Sequence, residues 1–222
     1  MSNILITESQ YINNYWITYH KSKPKSNKMQ GLMSLMFDFP TFCMNNRKNC
    51  KSICKNCYAF IQTSIRGKSI WPKLKHNTDV FTNSMINFDP ITSPLNVLRF
   101  SSYGELTNTQ QLLNIILTAK SNKHLHTALW TKRYNIVRSM LHLIPSNLIL
   151  VWSASKINST TFVIPNGFHK SFYVYKNEQV LSEAMDKASS QGFNVIHCKK
   201  ICKSCLHCYR NHEQSIVMEI IK

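Results

Sequence analysis

Apolar residues in the middle of the chain follow two spacings, one typical of strands and one typical of helices. Short apolar runs bounded by polar residues predict buried strands over 29–39, 94–100, 125–130, 147–155, 170–175 and 193–197. Between these runs, apolar residues recur at helical spacing and predict helices over 58–67, 106–121, 133–144 and 177–192. Thr107 and Gln110 have the spacing of a capping box at the start of the second helix.

Alternating strands and helices predict a sheet of parallel strands joined by crossover helices. About five such units fit in 222 residues, whereas an eight-unit barrel typically needs ~250. We therefore expect an α/β fold, either a partial βα barrel or an open and mainly parallel sheet. Along the chain we expect a basic segment over 1–28, an α/β core over 29–197 with a cysteine loop at 43–58, and a cysteine-rich C-terminal extension over 198–222.

Basic residues outnumber acidic ones by 27 to 10, which gives a formal net charge of +17. Twelve of the basic residues lie within the first 75 positions, where Glu8 and Asp38 are the only acidic ones. Such a field attracts polyanions, with nucleic acid as the first candidate partner, although a general bias toward Lys, Asn and Ile is an alternative explanation. No apolar run reaches the ~18–20 residues that cross a bilayer, and the polar N-terminus is unlike a secretory signal. We therefore expect no membrane association and a cytoplasmic protein, in the host cytoplasm if the chain is viral.

The eight cysteines are concentrated in two parts of the sequence. The first group has the spacing C-x3-C-x2-C and consists of Cys50, Cys54 and Cys57, with Cys43 a few residues earlier. The second group has the spacing C-x3-C-x2-C-x2-C and consists of Cys198, Cys202, Cys205 and Cys208. In a reducing cytosol, cysteines at such short spacings indicate metal ligands rather than disulfides.

Three thiolates at the first spacing can bind three corners of a 4Fe-4S cubane and leave the fourth iron open, although zinc knuckles also have closely spaced cysteines. Cys43 would close that position as a fourth ligand, or it is simply a small packed side chain. The second group has enough thiolates for tetrahedral zinc or for a fully ligated 4Fe-4S cluster, and its consecutive short spacings favour iron-sulfur. Three histidines near the second group are further candidate ligands or surface residues, namely His197, His207 and His212. The two cysteine groups would each hold a separate metal centre, or they would share one.

The motifs occur in an order that resembles a known family. The order is C-x3-C-x2-C-Tyr-Ala, then Arg-Phe-x-Ser-x-Gly-Glu, then Leu-Trp-Thr-Lys-Arg, and finally C-x3-C-x2-C-x2-C-Tyr. It resembles, over about residues 29–209, a group of phage-encoded and related bacterial proteins that are similar to radical S-adenosylmethionine enzymes. The resemblance implies a partial βα barrel, at least one 4Fe-4S cluster and S-adenosylmethionine as a cofactor, and it implies no particular substrate.

The resemblance also implies roles for individual residues. Cys50, Cys54 and Cys57 would hold a 4Fe-4S cluster with an open iron, and the second group would hold an auxiliary cluster or zinc. Gly104 and Glu105 stand where the family binds the amino group of the cofactor, with one glycine here where the family has two. The other predicted site residues are Ser101, Ser153 and Lys132. Reductive cleavage of the cofactor would then yield a radical that takes hydrogen from an unknown substrate.

Other interpretations of the same residues remain open. Glu105 would also be stabilised by the dipole of a following helix, and Lys132 with Arg133 would bind an anion or remain solvated. A protein that binds nucleic acid without catalysis, stapled by zinc or iron-sulfur, would explain the basic first third and the cations near the second group: Lys199, Lys200, Lys203 and Arg210. A pair of structural zinc sites in a regulator of a host protein is a third hypothesis.

Overall fold

The computed structural model describes residues 6–12, 14–21, 28–49, 51–65, 67–86, 90–210 and 212–221. Cys50 and most of the basic loop after His20 lie outside these residues. The strands are β1 Ile6–Ile12, β2 Tyr15–Lys21, β3 Met33–Leu35, β4 Val97–Phe100, β5 His126–Thr131, β6 Leu148–Ile157, β7 Lys170–Tyr175, β8 Val195–His197 and β9 Ser215–Ile220. The helices are α1 Thr41–Lys48, α2 Tyr58–Ile65, α3 Gly67–Asn83, α4 Thr109–Ser121, α5 Tyr134–Arg138, α6 Glu178–Ser190, α7 Cys202–Cys205 and α8 His207–Arg210.

The described strands form one nine-stranded sheet in the order β1-β2-β3-β4-β5-β6-β7-β9-β8. The pairs β1–β2 and β2–β3 are antiparallel, whereas every pair from β3 to β8 is parallel. The prediction of an α/β fold with an open and mainly parallel sheet is therefore confirmed. None of the described helices is long and apolar enough to cross a membrane.

Successive apolar side chains on the central strands point to opposite faces and build a separate core on each face of the sheet. On the face that we call the outer face, Leu98 and Phe100 pack with residues of α3, α4 and α5, and the neighbouring core beneath α6 continues along β7 and β9. On the opposite face, the inner face, Val97, Ile149 and Val151 pack against the cysteine-rich segment 198–214. The helices of the crossovers thus cover one face, and the second cysteine group covers part of the other.

The position of β9 explains why the cysteine-rich segment reaches the inner face. The chain leaves β7 through α6 to the edge strand β8 and then returns to place β9 between these two strands. Parallel crossovers are nearly always right-handed, so two crossovers that run in opposite directions along a sheet lie on opposite faces. Since α6 lies on the outer face, the return connection over 198–214 is expected on the inner face, where it is found. The first, middle and last predicted segments all contribute strands to this one sheet.

The hydrophobic pattern predicted the central elements well and the others less well. The strands β4 to β8 and the helices α2, α4 and α6 are confirmed within a few residues. The predicted strand over 29–39 is wrong in length, because only Met33–Leu35 pairs in the sheet although the flanking residues are buried. The predicted helix over 133–144 is broken, because α5 ends at Arg138 and a separate helical turn follows at Leu141–Leu143.

Candidate metal and cofactor site

The first cysteine loop crosses the carboxyl edge of the sheet. It begins after β3 and, at the far side, Ile157 N at the end of β6 donates to Lys51 O over 3.3 Å. Ser52 forms an isolated antiparallel bridge with Lys156 of the same strand. The loop therefore spans the ends of β4 and β5, the edge on which parallel α/β proteins carry their sites.

Three thiols of this loop lie close to one another. Cys54 is buried and Cys43 and Cys57 are partly buried. Burial, the charge of Glu105 and the Cys54 thiol raise the pKa of the Cys43 thiol above its ordinary value, and Cys57 acts in the same direction. Cys43 thus belongs to the same cluster as two of the predicted ligands, while Cys50 lies outside the described residues.

Glu105 binds backbone and side-chain donors at the ends of two neighbouring strands. Its Oε1 accepts hydrogen bonds from Leu106 N over 2.9 Å and from the Thr131 hydroxyl over 2.5 Å, and its Oε2 accepts from Lys132 N over 2.8 Å. The side chain is buried. A carboxylate has about four acceptor positions, so one position on Oε2 remains for a further donor. Glu105 therefore joins β4 to β5 and still has one acceptor position for a ligand.

Gly104 permits a close approach of two chain segments. Its φ is +76°, and a Cβ placed there would lie 2.2 Å from Phe37 O and 2.4 Å from Asp38 O. No other residue fits this position without moving backbone, since the clash is with main-chain atoms. The glycine therefore holds the polar run after β4 against the segment that leads into the cysteine loop.

Lys132 and Ser153 meet at the ends of β5 and β6. Lys132 Nζ donates to Ser153 Oγ over 2.6 Å, and the positive charge of Lys132 acts on the Cys43 thiol. Arg133 has another role, because its guanidinium carbon lies 4.9 Å from the centre of the Phe42 ring in α1. Of the two predicted cations, Lys132 thus faces the site and Arg133 helps to anchor the cysteine loop.

Ser101 is strained and buried beside a polar group that the sequence did not reveal. Its φ is +55°, and its Oγ has no hydrogen-bond partner among the described residues. Next to it, Ser102 Oγ donates to Ser34 Oγ over 2.9 Å, and Ser34 Oγ lies 2.7 Å from His20 Nε2. Burial and the charge of Arg99 lower the pKa of His20 to about 4, so this histidine is neutral at neutral pH. The alternation of YWITYH was the only signal in the sequence that could have placed His20 in the sheet.

The second cysteine group lies along the inner face. Cys198 N donates to Met218 O within β9 over 2.8 Å, and Cys202 N donates to Lys28 O over 2.7 Å. Burial raises the pKa of Cys202 to about 11 and raises the pKa values of Cys198 and Cys208 as well. Each of these thiols is also affected by another thiol of the group, and Cys198 by the exposed Cys205.

The neighbouring histidines have other contacts. His207 Nε2 lies 3.0 Å from Ser215 Oγ, and the ring of His212 packs edge-on against His169 with the centroids 5.2 Å apart. His197 is partly buried at the end of β8. Nothing in these contacts directs the three predicted histidines toward the second cysteine group.

Tyr58 lies between the two cysteine groups. Its side chain is half exposed, yet the charges that act on its phenol come from Arg99, Cys57, Glu219 and Cys202, which belong to different elements. Groups of the first cysteine loop and groups of the inner face therefore act on the same phenol.

The donors suit a metal in type, but the thiols do not converge on one point. Among the residues that the structure describes, no group of three or more His, Cys, Asp or Glu side chains is arranged to hold a metal ion. Clustered thiols nevertheless form the donor set that zinc and iron-sulfur clusters prefer. Comparison with protein-family models, curated proteins and solved structures finds no match to this chain.

Proposed function

We propose that this chain is an iron-sulfur protein of the radical S-adenosylmethionine type that acts on an unidentified substrate. The observation that carries the proposal is the clustering of Cys43, Cys54 and Cys57 beside Glu105 and Lys132 at the carboxyl edge of the parallel strands. Burial raises the pKa of the Cys43 thiol, which makes it a poor nucleophile, so thiol catalysis by Cys43 is a weaker explanation than metal binding. The spacing of the first group supports an iron-sulfur cluster with one open iron.

In this proposal, Cys50, Cys54 and Cys57 hold the 4Fe-4S cluster. The bound cluster would supply the electron that cleaves S-adenosylmethionine. The remaining acceptor position of Glu105 suits the amino group of that cofactor, and Lys132 suits its carboxylate. An ammonium group has three donor positions, and the bond to Ser153 uses one of them. The buried Ser101 hydroxyl is a further candidate donor.

The same residues would also orient the bound cofactor. Glu105 is fixed at both carboxylate oxygens by donors in the loop after β4 and at the end of β5, so its remaining acceptor position points in one direction. Such preorganised groups bind without a further loss of side-chain freedom. Gly104 supports this arrangement by holding the Glu105 loop against the segment after β3.

Metal analysis and an activity assay test the proposal in two steps. The protein is purified without oxygen, and its iron, sulfide and zinc contents are measured with a visible spectrum. We expect about four or more irons and sulfides per chain and broad absorbance near ~400 nm. The reduced protein should then cleave S-adenosylmethionine to methionine and 5′-deoxyadenosine. A Cys54→Ser variant should lose this activity and the iron of the first loop, and zinc without iron in the native protein would overturn the proposal.

Nucleic-acid binding is a second candidate function, because the cations around the second cysteine group are accessible. Lys199, Lys200, Lys203 and Arg210 are all exposed. With a net charge of +17, such a surface would bind phosphates through counter-ion release. Binding of a fluorescent single-stranded oligonucleotide should then weaken steeply as salt rises, whether or not the cofactor is cleaved.

A further inference from the structure

Three exposed apolar side chains share one side of α2. Tyr58, Ile61 and Ile65 stand at positions i, i+3 and i+7 of the helix, and these residues are 50%, 46% and 72% exposed. Single apolar residues are common on protein surfaces and need no explanation, whereas several together are typical of interaction sites. We call these three residues the α2 face.

The opposite side of α2 is packed, so the helix holds the α2 face in place. The Phe60 ring meets the rings of Phe39 and Trp71 edge-on, with the centroids 5.5 and 6.2 Å apart. At the start of the helix, the Tyr58 ring packs edge-on against the buried Tyr103, with the centroids 5.9 Å apart. A partner that binds the α2 face therefore meets an ordered helix, which lowers the free-energy cost of binding.

Basic residues flank the α2 face at both ends. Residues 39–78 contain eight basic side chains and no acidic one. Lys55 is exposed three positions before Tyr58, and Lys68 is exposed three positions after Ile65. The other exposed lysines of this stretch are Lys48, Lys51 and Lys75. An apolar centre with a polar rim is typical of protein interfaces, and a rim of one charge selects a partner of the opposite charge. The surface is therefore complementary to an acidic partner.

The aliphatic side chains favour a protein as that partner. Sites for single-stranded nucleic acid combine cations with flat aromatic rings on which the bases stack. The α2 face has one such ring and two branched aliphatic side chains, Ile61 and Ile65, which suit the apolar side chains of another protein. An anionic membrane is a weaker match, because affinity for a bilayer scales with the buried apolar area and this face has only three apolar side chains.

The position of the α2 face indicates what the acidic protein does. Tyr58 directly follows Cys57, so a protein bound here lies beside the first cysteine loop. In the proposed function a 4Fe-4S cluster in this loop gives an electron to S-adenosylmethionine, and that electron has to come from a donor outside the chain. We infer that the α2 face is the docking site of a small, acidic one-electron carrier protein. This inference rests on the proposed function. The reduced carrier would pass one electron to the oxidised cluster, and no bond would form or break.

The size of the α2 face suits such a partner. Tyr58 and Ile65 lie about 10 Å apart along the helix axis. Complexes for electron transfer are weak and small, often with less than about 1,200 Å² of buried surface. Complementary charges bring such partners together quickly, and the association slows as salt screens them. A short apolar row between exposed lysines therefore matches a transient complex better than a permanent one.

The experiment uses the full chain, reconstituted without oxygen, and two acidic carriers, a flavodoxin and a plant-type 2Fe-2S ferredoxin. Lys55→Glu with Lys68→Glu reverses two charges beside the α2 face. We expect reduction of the cluster by either carrier to become about tenfold slower at low salt, because electrostatic steering is lost. Ile61→Ser with Ile65→Ser removes the apolar centre and should weaken binding of the oxidised carriers about fivefold or more in calorimetry.

Matched controls separate docking from general effects of charge and exposure. Lys120→Glu with Lys187→Glu makes the same change of net charge on exposed positions of α4 and α6, and Val163→Ser removes another exposed apolar side chain. Each control should change carrier binding and reduction by less than about twofold. Dithionite needs no docking site, so it should reduce all variants within about twofold of the native rate. Iron content should also be equal in all variants.

The outcomes distinguish this inference from the proposed function. Native affinity for both carriers in both α2 variants, or no binding of either carrier to the native chain, would overturn the docking site. Loss of binding to an oligonucleotide or to anionic vesicles in these variants, with carrier binding unchanged, would assign the face to another partner and overturn it too. If dithionite supports no cleavage of S-adenosylmethionine, the proposed function fails. Carrier binding is measured without that reaction and still tests the docking site.

Discussion

Replacing Glu105 by glutamine separates its structural role from its proposed role in cofactor binding. The carboxylate is buried and accepts three hydrogen bonds, from Leu106 N, the Thr131 hydroxyl and Lys132 N. If Glu105 served only the cofactor, the ligand-free protein would tolerate the substitution. The contacts instead predict a loss of stability before any ligand is added.

The size of the loss follows from the geometry of the amide. Its oxygen can keep the two bonds of Oε1, and the NH₂ group then faces the N–H of Lys132, so that two donors oppose each other. The protein loses one charge-assisted bond, worth about 1.5–3 kcal/mol, and gains an unsatisfied polar group, which costs about 1–3 kcal/mol. Because Lys132 is only partly buried, we expect the lower part of the sum, about 2.5–4 kcal/mol. That is a large fraction of the roughly 5–15 kcal/mol that stabilises a typical domain.

The assay is urea unfolding of the metal-free protein, followed by circular dichroism. Glu183→Gln on the exposed face of α6 is the matched control and should change the free energy of unfolding by less than about 0.5 kcal/mol. Thr131→Val removes one donor and should cost about 1 kcal/mol, with measurable coupling to the Glu105 substitution in a double-mutant cycle. If Glu105→Gln is as stable as the control, the argument from its hydrogen bonds is wrong.

Three other predictions follow from neighbouring residues. Gly104→Ala should cost more than about 2 kcal/mol in urea unfolding because its Cβ meets backbone, whereas Gly192→Ala, at a similar φ of +83° in open space, should cost about 1 kcal/mol; equal losses would contradict this. His20 is neutral in the folded protein down to a pKa of about 4, so its contribution is complete above pH 6.5 and is lost as the pH falls toward 4. The native protein should thus lose about 3 kcal/mol relative to His20→Gln between pH 7 and 4, and parallel pH profiles would refute this. Cys43→Ala should keep about four irons in the first loop if the proposed open cluster is correct, and loss of iron would indicate a fourth ligand.

The elements predicted correctly from the sequence are those whose apolar residues stand close together along the chain. β4 to β7 are buried on both faces and therefore read as continuous apolar runs. β9 is also largely buried, but it lies directly after the second cysteine group. The sequence therefore predicted it as part of the C-terminal extension and not as a strand of the sheet. α3 was missed because Gly67 and Pro72 interrupt its pattern, although Leu74 and Phe81 still bury its inner side. The N-cap of α4 is Asn108, whose side chain accepts a hydrogen bond from Gln111 N. This pair lies one residue beyond the predicted pair, Thr107 and Gln110, because both pairs have the spacing of a capping box.

The candidate site was predictable in its members but not in their bonding. The carboxyl ends of parallel strands share one edge, so Glu105, Lys132 and Ser153 were expected together, and they lie at that edge. Sequence spacing carries no information on the hydrogen bonds that use most of the acceptor positions of Glu105. The contacts of Lys28 with Cys198 and Glu219 were also invisible, because they join residues about 170 or more positions apart.

The topology of the last strands relates the two cysteine groups. Had β9 followed β8 at the edge of the sheet, right-handed connections would have kept the segment 198–214 on the outer face with α6. Its insertion between β7 and β8 instead brings Cys202 beside Arg99, and the first loop brings Tyr58 into the same surroundings from the carboxyl edge. Arg99 therefore acts both on Cys202 of the second group and on Tyr58, next to Cys57 of the first group.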